Sequence, residues 1–149
     1  MTQIAPGLNE TQLGIELQGN SGAVFSPCRR YRYALWRRWG DGPYCMFIGL
    51  NCSTATDKKD DPTIRRCIRF CKDWGFSAYV MGNLFAFRAT DPDVMKAEHW
   101  PIGDDNDAWL KRLADGAAMI VAAWGNDGAH LCRADEVIRL LSGYRLHHL

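Results

Sequence analysis

The chain lacks the features that mark membrane, secreted and strongly basic proteins. Its 149 residues contain no apolar run of about 18 residues, so the sequence predicts no transmembrane helix. The first ten residues, MTQIAPGLNE, have neither a basic start nor an apolar core, which argues against a signal peptide. The formal net charge of +1 excludes a protein with a large overall excess of positive charge. We therefore expect a cytoplasmic protein with no membrane partner.

The sequence also lacks a recognisable disulfide framework or cofactor motif. A chain of this length buries a sufficient core without crosslinks, so its six cysteines do not require pairing. Cys67 and Cys71 lie four residues apart on the apolar face of a predicted helix, which favours buried free thiols. We find no tight Cys/His cluster, Walker loop, dinucleotide glycine fingerprint, nucleophile elbow or zinc-enzyme motif. The sequence therefore predicts no metal and no cofactor.

What is present is an alternation of apolar strands and amphipathic helices. Three runs without polar alternation, residues 45–50, 77–84 and 118–123, predict strands that are buried on both faces. Asp60 or Asp61 can cap the first helix, and the last residues, 144–149, can begin a fourth strand. We predict a single three-layer α/β/α domain over residues 21–149 with a mainly parallel central sheet. Residues 1–20 are expected to form a loosely ordered N-terminal arm.

An arginine- and aromatic-rich segment, residues 30–39, precedes the first buried strand. The turn sequence Gly-Asp-Gly-Pro follows it at residues 40–43, which predicts that the segment returns as an antiparallel hairpin onto the strand beginning at Tyr44. Arg29 and the arginines of this segment form one basic cluster, and Arg65, Arg66 and Arg69 form a second. These clusters either contact nucleic acid or are solvated surface charges.

Polar loops leave the carboxyl ends of the three buried strands, and neighbouring parallel strands would bring them to one rim. The candidate residues in and after these loops are Asn51, Ser53, Thr54, Asp61, Thr63, Arg66, Asn83, Phe85, Arg88, Trp124 and Gly125. Their hydroxyl and amide groups can bind a base or place a water, or can only cap helices and close turns. Arg88 either contacts phosphate or pairs with Asp91, and Phe85 and Phe87 either stack on a base or pack in the core.

Several short segments, taken in order, resemble the DUF1643 family of bacterial and phage proteins. They are RYALW at 32–36, IGLNCSTA at 48–55, DPTIRRC at 61–67, WG at 74–75, NLFAFRATDP at 83–92, GDDND at 103–107 and AWG at 123–125. The resemblance runs from about residue 24 to residue 142. Cys52 stands where the family usually has proline. Residues 145–149 stand where the family usually has a strand with a His-Pro-Leu-Tyr motif, which implies a truncated or divergent ending that lacks one wall of the rim.

Residues 49–52, Gly-Leu-Asn-Cys, are also similar to the first motif of the uracil-DNA glycosylase superfamily. The resemblance implies a uracil-DNA-glycosylase-like fold in which Asn51 positions the water that attacks the sugar C1′. It further implies that Asn83 contacts the edge of a base, and that Trp124-Gly125 ends the third strand. Arg66 lies on the helix after the first motif. The catalytic candidates are Asn51 and Asp61.

Together these features favour a DNA glycosylase-like domain that binds a nucleobase, modified or unmodified, and cleaves its N-glycosidic bond. An asparagine is a poor general base, so Asn51 would orient water rather than deprotonate it. One alternative is a non-catalytic module that binds a nucleotide or nucleic acid. The other is a metal-dependent nuclease that uses Asp60, Asp61 and Asp91. The expected partner is DNA or a nucleotide, while the base, the strandedness and the oligomeric state stay open.

Overall fold

A computed structural model of the chain describes residues 3–5, 8–9, 20–53 and 55–149. The strands are β1 (Gln3–Ala5), β2 (Leu8–Asn9), β3 (Ser21–Phe25), β4 (Arg32–Arg38), β5 (Tyr44–Asn51), β6 (Ala78–Phe85), β7 (Met119–Ala122) and β8 (Leu146–His148). The helices are α1 (Pro62–Asp73), α2 (Pro92–Ala97), α3 (Asn106–Gly116) and α4 (Arg133–Leu140), and a 3₁₀ segment (Asn126–Cys132) precedes α4. Most of the predicted arm, residues 1–20, lies outside the described residues. Its described residues 3–5 and 8–9 form the antiparallel pair of β1 and β2.

Six strands form the central sheet in the order β3-β4-β6-β5-β7-β8. The four strands from β5 to β8 are parallel to one another, which confirms the mainly parallel sheet and the fourth strand predicted near the end of the sequence. Within this parallel part the order is second, first, third, fourth. The winding direction therefore changes between β5 and β7, a switch point at which ligands bind in many open α/β sheets.

The apolar strands are buried on both faces because helices cover the two sides of the sheet. In β5, Met46 and Ile48 face a core that includes residues of α3 and α4. The alternate residues, Cys45 and Phe47, face a second core shared with α1. This arrangement explains the lack of polar alternation in residues 45–50 and gives the three layers expected from the sequence.

The predicted return of the arginine-rich segment onto the strand at Tyr44 is wrong. The strand β4 pairs antiparallel with β3 on one side and with β6 on the other, so β6 lies between β4 and β5. The antiparallel hairpin near the N-terminus is therefore the one formed by β3 and β4. The residues on the two sides of the predicted turn form backbone hydrogen bonds with Ser77. The Ser77 carbonyl accepts from the N–H of Trp39 at 3.0 Å, and the Ser77 N–H donates to the carbonyl of Pro43 at 2.9 Å.

The helix α1 begins and ends where the sequence predicts. The Asp61 carboxylate accepts a hydrogen bond from the Ile64 backbone N–H at 2.8 Å, and Pro62 occupies the first helical position. Gly75, which follows the last turn, has a φ of +85°, a conformation that favours glycine. Cys67 and Cys71 are buried free thiols on the inner face of α1, as predicted. In the described part of the chain, no helix has the length and apolar character needed to cross a membrane.

Candidate functional site

The loops that follow β5 and β6 are joined at the carboxyl edge of the sheet. The backbone N–H of Ala89 donates to the carbonyl of Cys52 at 3.1 Å, and the Cys52 thiol donates to the carbonyl of Ala86 at 3.0 Å. Burial raises the pKa of this thiol, so it remains a protonated donor. Because β7 pairs with β5 on its other side, the Trp124 loop leaves the same edge. The convergence expected from the sequence is therefore present.

Asn51, the last residue of β5, has an amide group in a fixed orientation. Its Nδ2 donates to the carbonyl of Ala89 at 2.5 Å and lies 3.5 Å from the carbonyl of Cys52. These contacts use the donor side of the amide. Among the described residues no donor contacts its Oδ1, which is therefore available to accept a hydrogen bond from water or a ligand.

Two arginines of β4 hold the loop between β5 and α1 from beneath. Arg32 is 2% exposed and donates to the carbonyl of Ala55 at 3.0 Å. Arg37 pairs with Asp60 at 2.8 Å and donates to the carbonyl of Thr56 at 2.5 Å. The sequence raised two alternatives for the arginines of this strand, a nucleic-acid surface and a solvated strand face. Neither alternative applies to the buried pair Arg32 and Arg37. The reason is that β4 is an interior strand and the loop covers it.

Asn83 lies below the rim rather than on it. The side chain is 1% exposed, and its Oδ1 accepts from Arg32 at a distance of 3.4 Å. Its Nδ2 has no partner in the described part of the chain. A Cβ atom at Gly49 would lie 2.9 Å from that nitrogen, so glycine is what lets β5 pass over the Asn83 amide.

The carboxylate of Asp61 serves the local structure of α1. It accepts hydrogen bonds from the Ser53 hydroxyl and from the Ile64 backbone N–H. Thr63 is exposed in the first turn of the same helix, and Arg66 is exposed one turn further on. Thr54 lies outside the described residues. The capping role that the sequence left open is therefore present at Asp61.

An open groove of about 340 Å³ lies between these loops and the connection from β3 to β4. We call it the arginine groove, and it is lined by Arg29, Arg30, Ser53, Phe87, Arg88, Ala89 and Thr90. The lining brings together three guanidinium groups, two hydroxyl groups and an aromatic ring, and it contains no carboxylate. The groove therefore favours a ligand with negative charge and a flat ring.

Aromatic rings, rather than carboxylates, position two of the three guanidinium groups. Those of Arg29 and Arg88 lie 4.3 and 4.6 Å from the centre of the Phe25 ring. Arg88 also donates to the carbonyl of Arg29 at 3.0 Å. The pairing of Arg88 with Asp91 raised by the sequence is absent from the described ion pairs. Asp91 instead caps α2 by accepting from the backbone N–H of Asp93 at 2.9 Å.

The third guanidinium group, on Arg30, is open to solvent. It lies 5.8 Å from the centre of the Phe87 ring and 3.7 Å from a Glu98 oxygen, in a pair whose Arg30 side chain is 62% exposed. Exposed pairs of this kind contribute little free energy, so an anionic ligand can displace Glu98. Tyr31 packs edge-on against Phe87 with ring centres 5.7 Å apart and fixes that ring in the groove.

The remaining predicted site residues lie outside the arginine groove. Phe85 is fully buried and packs 5.5 Å from His130, so Phe87 is the accessible ring of the pair. Trp124 is partly buried against the core. Gly125 is exposed with a φ of +70°. The sequence groups Arg29 with the first basic cluster but does not predict its place in the groove, because that requires knowing that the turn after β3 lies beside the loop after β6.

The chain also matches a known protein family. The model of DUF1643, described as a protein of unknown function, matches residues 32–149. The chain belongs to the DUF1643 family. The match includes β8, so it covers residues 145–149, which the resemblance read from the sequence does not reach. In this DUF1643 chain, Arg29 and Arg30 precede the matched range, whereas the other lining residues of the groove lie inside it. No curated protein and no solved structure matches the chain.

Proposed function

We propose that the arginine groove binds a nucleotide unit of DNA, with a phosphate against the guanidinium groups and the base against Phe87. The observation that carries this proposal is the convergence of three arginines and an accessible aromatic ring in one groove without a carboxylate. Guanidinium groups bind phosphate oxygens through paired hydrogen bonds, and an aromatic ring accepts any base by stacking. The net charge of +1 is compatible with this role, because the positive charge is concentrated locally.

Phe25 favours binding in a second way. Because its ring already holds Arg29 and Arg88 in place, these side chains lose less conformational freedom when a phosphate arrives. The hydroxyl groups of Ser53 and Thr90 add neutral hydrogen-bonding partners at the rim. The groove is thus suited to one phosphate and one base.

Binding of a fluorescent single-stranded oligonucleotide, followed by anisotropy at low salt, tests the proposal. We expect Phe87→Leu to weaken binding by about tenfold, since base stacking contributes about 1–3 kcal/mol. Arg30→Gln should weaken it several-fold and reduce its salt dependence. Arg139→Gln removes an exposed arginine of α4 and should leave affinity unchanged. Wild-type affinity in both groove variants, or no binding by the wild type, would overturn the proposal.

A second candidate function is hydrolysis of the N-glycosidic bond of the bound nucleotide, and the geometry of Asn51 favours it. The Oδ1 of Asn51, which has no donor among the described residues, lies on a side chain bonded to Ala89, and Ala89 lines the arginine groove. This oxygen could orient a water toward the sugar C1′. The bond from C1′ to the base would break, and the base would leave with the electron pair and take up a proton from solvent. Water would add to C1′ and release one of its protons to solvent, which leaves a hydroxyl group on the sugar. Because the groove lining holds no carboxylate, positive charge on the sugar would be stabilised by the partial negative charge of the Asn51 Oδ1 and by the phosphates of the DNA itself. The amide would orient the water without removing its proton.

Base release from DNA with and without modified bases, measured with chelator present, tests this second function. Asn51→Ala should abolish release while leaving oligonucleotide affinity within about threefold. Asn20→Ala, which alters an exposed asparagine before β3, should release base at the wild-type rate. Binding without release from any substrate would leave a recognition module and remove the enzymatic candidate.

The third option, a metal-dependent nuclease, gains no support from the described residues. Asp60 pairs with Arg37, while Asp61 and Asp91 cap α1 and α2. Residues 20–53 and 55–149 contain no group of three His, Cys, Asp or Glu side chains placed to hold a metal ion. We therefore keep the proposal to nucleotide binding and base release.

A further inference from the structure

We infer that exposed arginines of α1 form a second anion-binding surface that continues the arginine groove, so that the ligand is a strand of several nucleotides. This inference rests on the proposed function of the groove and extends it from one nucleotide to a polynucleotide. The surface consists of Arg65, Arg66 and Arg69, which together border a shallow depression of about 310 Å³. We call it the α1 arginine patch.

The α1 arginine patch concentrates like charge without neutralisation. All three side chains are exposed, and none takes part in an ion pair within the described part of the chain. Arg65 and Arg69 are four residues apart, a spacing at which like charges on a helix repel. The first turn of α1 carries no acidic residue, although the helix dipole favours one there. This arrangement does not stabilise α1 by itself, and a bound polyanion would relieve the repulsion.

Hydrogen bonds join the patch to the groove. Ser53 lines the groove and donates its hydroxyl hydrogen to Asp61. The Asp61 side chain in turn accepts from the backbone N–H of Ile64. The Asp61 carbonyl accepts from the backbone N–H of Arg65 at 3.1 Å. The first residue of the patch is therefore bonded to a residue that also contacts the groove lining. The strand of the inferred complex leaves the groove past Ser53 and runs toward α1 along this connection.

Exposed cations elsewhere are placed differently and supply a matched control. Lys111, Arg139 and Arg145 are exposed on α3, on α4 and ahead of β8. They are spread over separate elements, and α3 and α4 cover the opposite face of the sheet from α1. A triple substitution there removes the same charge as a triple substitution of the patch.

The test compares two labelled thymidine oligonucleotides, of about 3 and about 15 residues, across a salt series. In the wild type the long oligonucleotide should bind at least tenfold more tightly. Arg65→Gln/Arg66→Gln/Arg69→Gln should remove that advantage, reduce the salt slope for the long strand by about 2, and leave the short strand unaffected. Lys111→Gln/Arg139→Gln/Arg145→Gln should retain the length dependence. Phe87→Leu should weaken both lengths.

The outcomes separate this inference from the proposed function. If Phe87→Leu weakens both lengths but the patch variant retains the wild-type length dependence, the groove stands and the patch is overturned. If neither length binds to the wild type, both claims are overturned. Loss of long-strand affinity in the control triple, equal to that in the patch triple, would show a general charge effect and would also overturn the patch. Binding of the patch to vesicles rich in anionic lipid, with no preference for long oligonucleotides, would overturn it too.

Discussion

At the scale of single residues, burial decides which polar side chains near the rim support the structure and which stay open to a ligand. Arg32 is buried and supports a loop, whereas Arg30 at the neighbouring turn stays open to solvent. Asn83 is buried with its Oδ1 bonded to Arg32, and Asn51 keeps its Oδ1 unengaged among described residues. Charge and polarity in the sequence alone do not separate these pairs. Their positions in the sheet do, because β4 is interior and the turn before it is exposed.

Gly49 offers a test of this packing at one residue. A Cβ there would lie 2.5 Å from the Met81 side chain and 2.9 Å from Asn83, which Arg32 holds in place. We expect Gly49→Ala to lower the free energy of unfolding by about 1–3 kcal/mol, the usual cost of overpacking. Gly143→Ala, which meets no atom within 4 Å, is the matched control. Urea denaturation measures both, and equal stability of the two variants would contradict the packing.

At the scale of elements, local chemistry in the sequence fixes helix ends better than it fixes strand partners. Asp61, Pro62 and Gly75 delimit α1 because capping involves residues close in the chain. The turn sequence at residues 40–43 predicts a reversal of the chain direction, but it does not specify which strand pairs with β4. The pairing with β6 is a tertiary contact, and the turn itself is joined by backbone hydrogen bonds to Ser77, the residue just before β6. For the same reason the sequence could predict the loops after β5 and β6, but not the groove they form with the turn after β3.

Substitutions of Asp61 separate its capping role from a role in chemistry. Asp61→Ala should lower the free energy of unfolding by about 1 kcal/mol through loss of the cap on α1. Asp61→Asn should be close to wild type, because asparagine caps as well as aspartate. If the protein releases bases, Asp61→Asn should retain most of that activity. Full stability together with complete loss of release in Asp61→Asn would instead make the carboxylate catalytic.

At the scale of the whole molecule, buried thiols and phenols make the fold sensitive to alkaline pH. Burial raises the pKa of Cys67 from an ordinary value of 9.0 to about 11, and it also raises the pKa of Tyr44 and Tyr79. In the unfolded chain these groups ionise at their ordinary values. Above pH 9 the unfolded chain therefore holds fewer protons than the folded one, and the free energy of unfolding falls as pH rises.

Urea midpoints measured from pH 8 to pH 11 under reducing conditions check this dependence. Stability should be steady near pH 8 and should decline as the pH rises from about 9 to about 11. Cys67→Ala should show a shallower decline, because one buried thiol is removed. Cys132→Ala, at an exposed cysteine, should decline as the wild type does. A decline in Cys67→Ala as steep as that of the wild type would show that Cys67 does not contribute.

The central claim is the proposal that the arginine groove of this DUF1643 chain binds nucleic acid. The most direct measurement is photo-crosslinking of a single-stranded oligonucleotide that carries 5-iodouracil, followed by mass spectrometry of the crosslinked peptides. We expect crosslinks to the peptide containing Phe87 and, for long strands, to the peptides around Arg65 and Arg69. Crosslinks confined to α3 or α4, at concentrations where the oligonucleotide binds, would contradict the arginine groove.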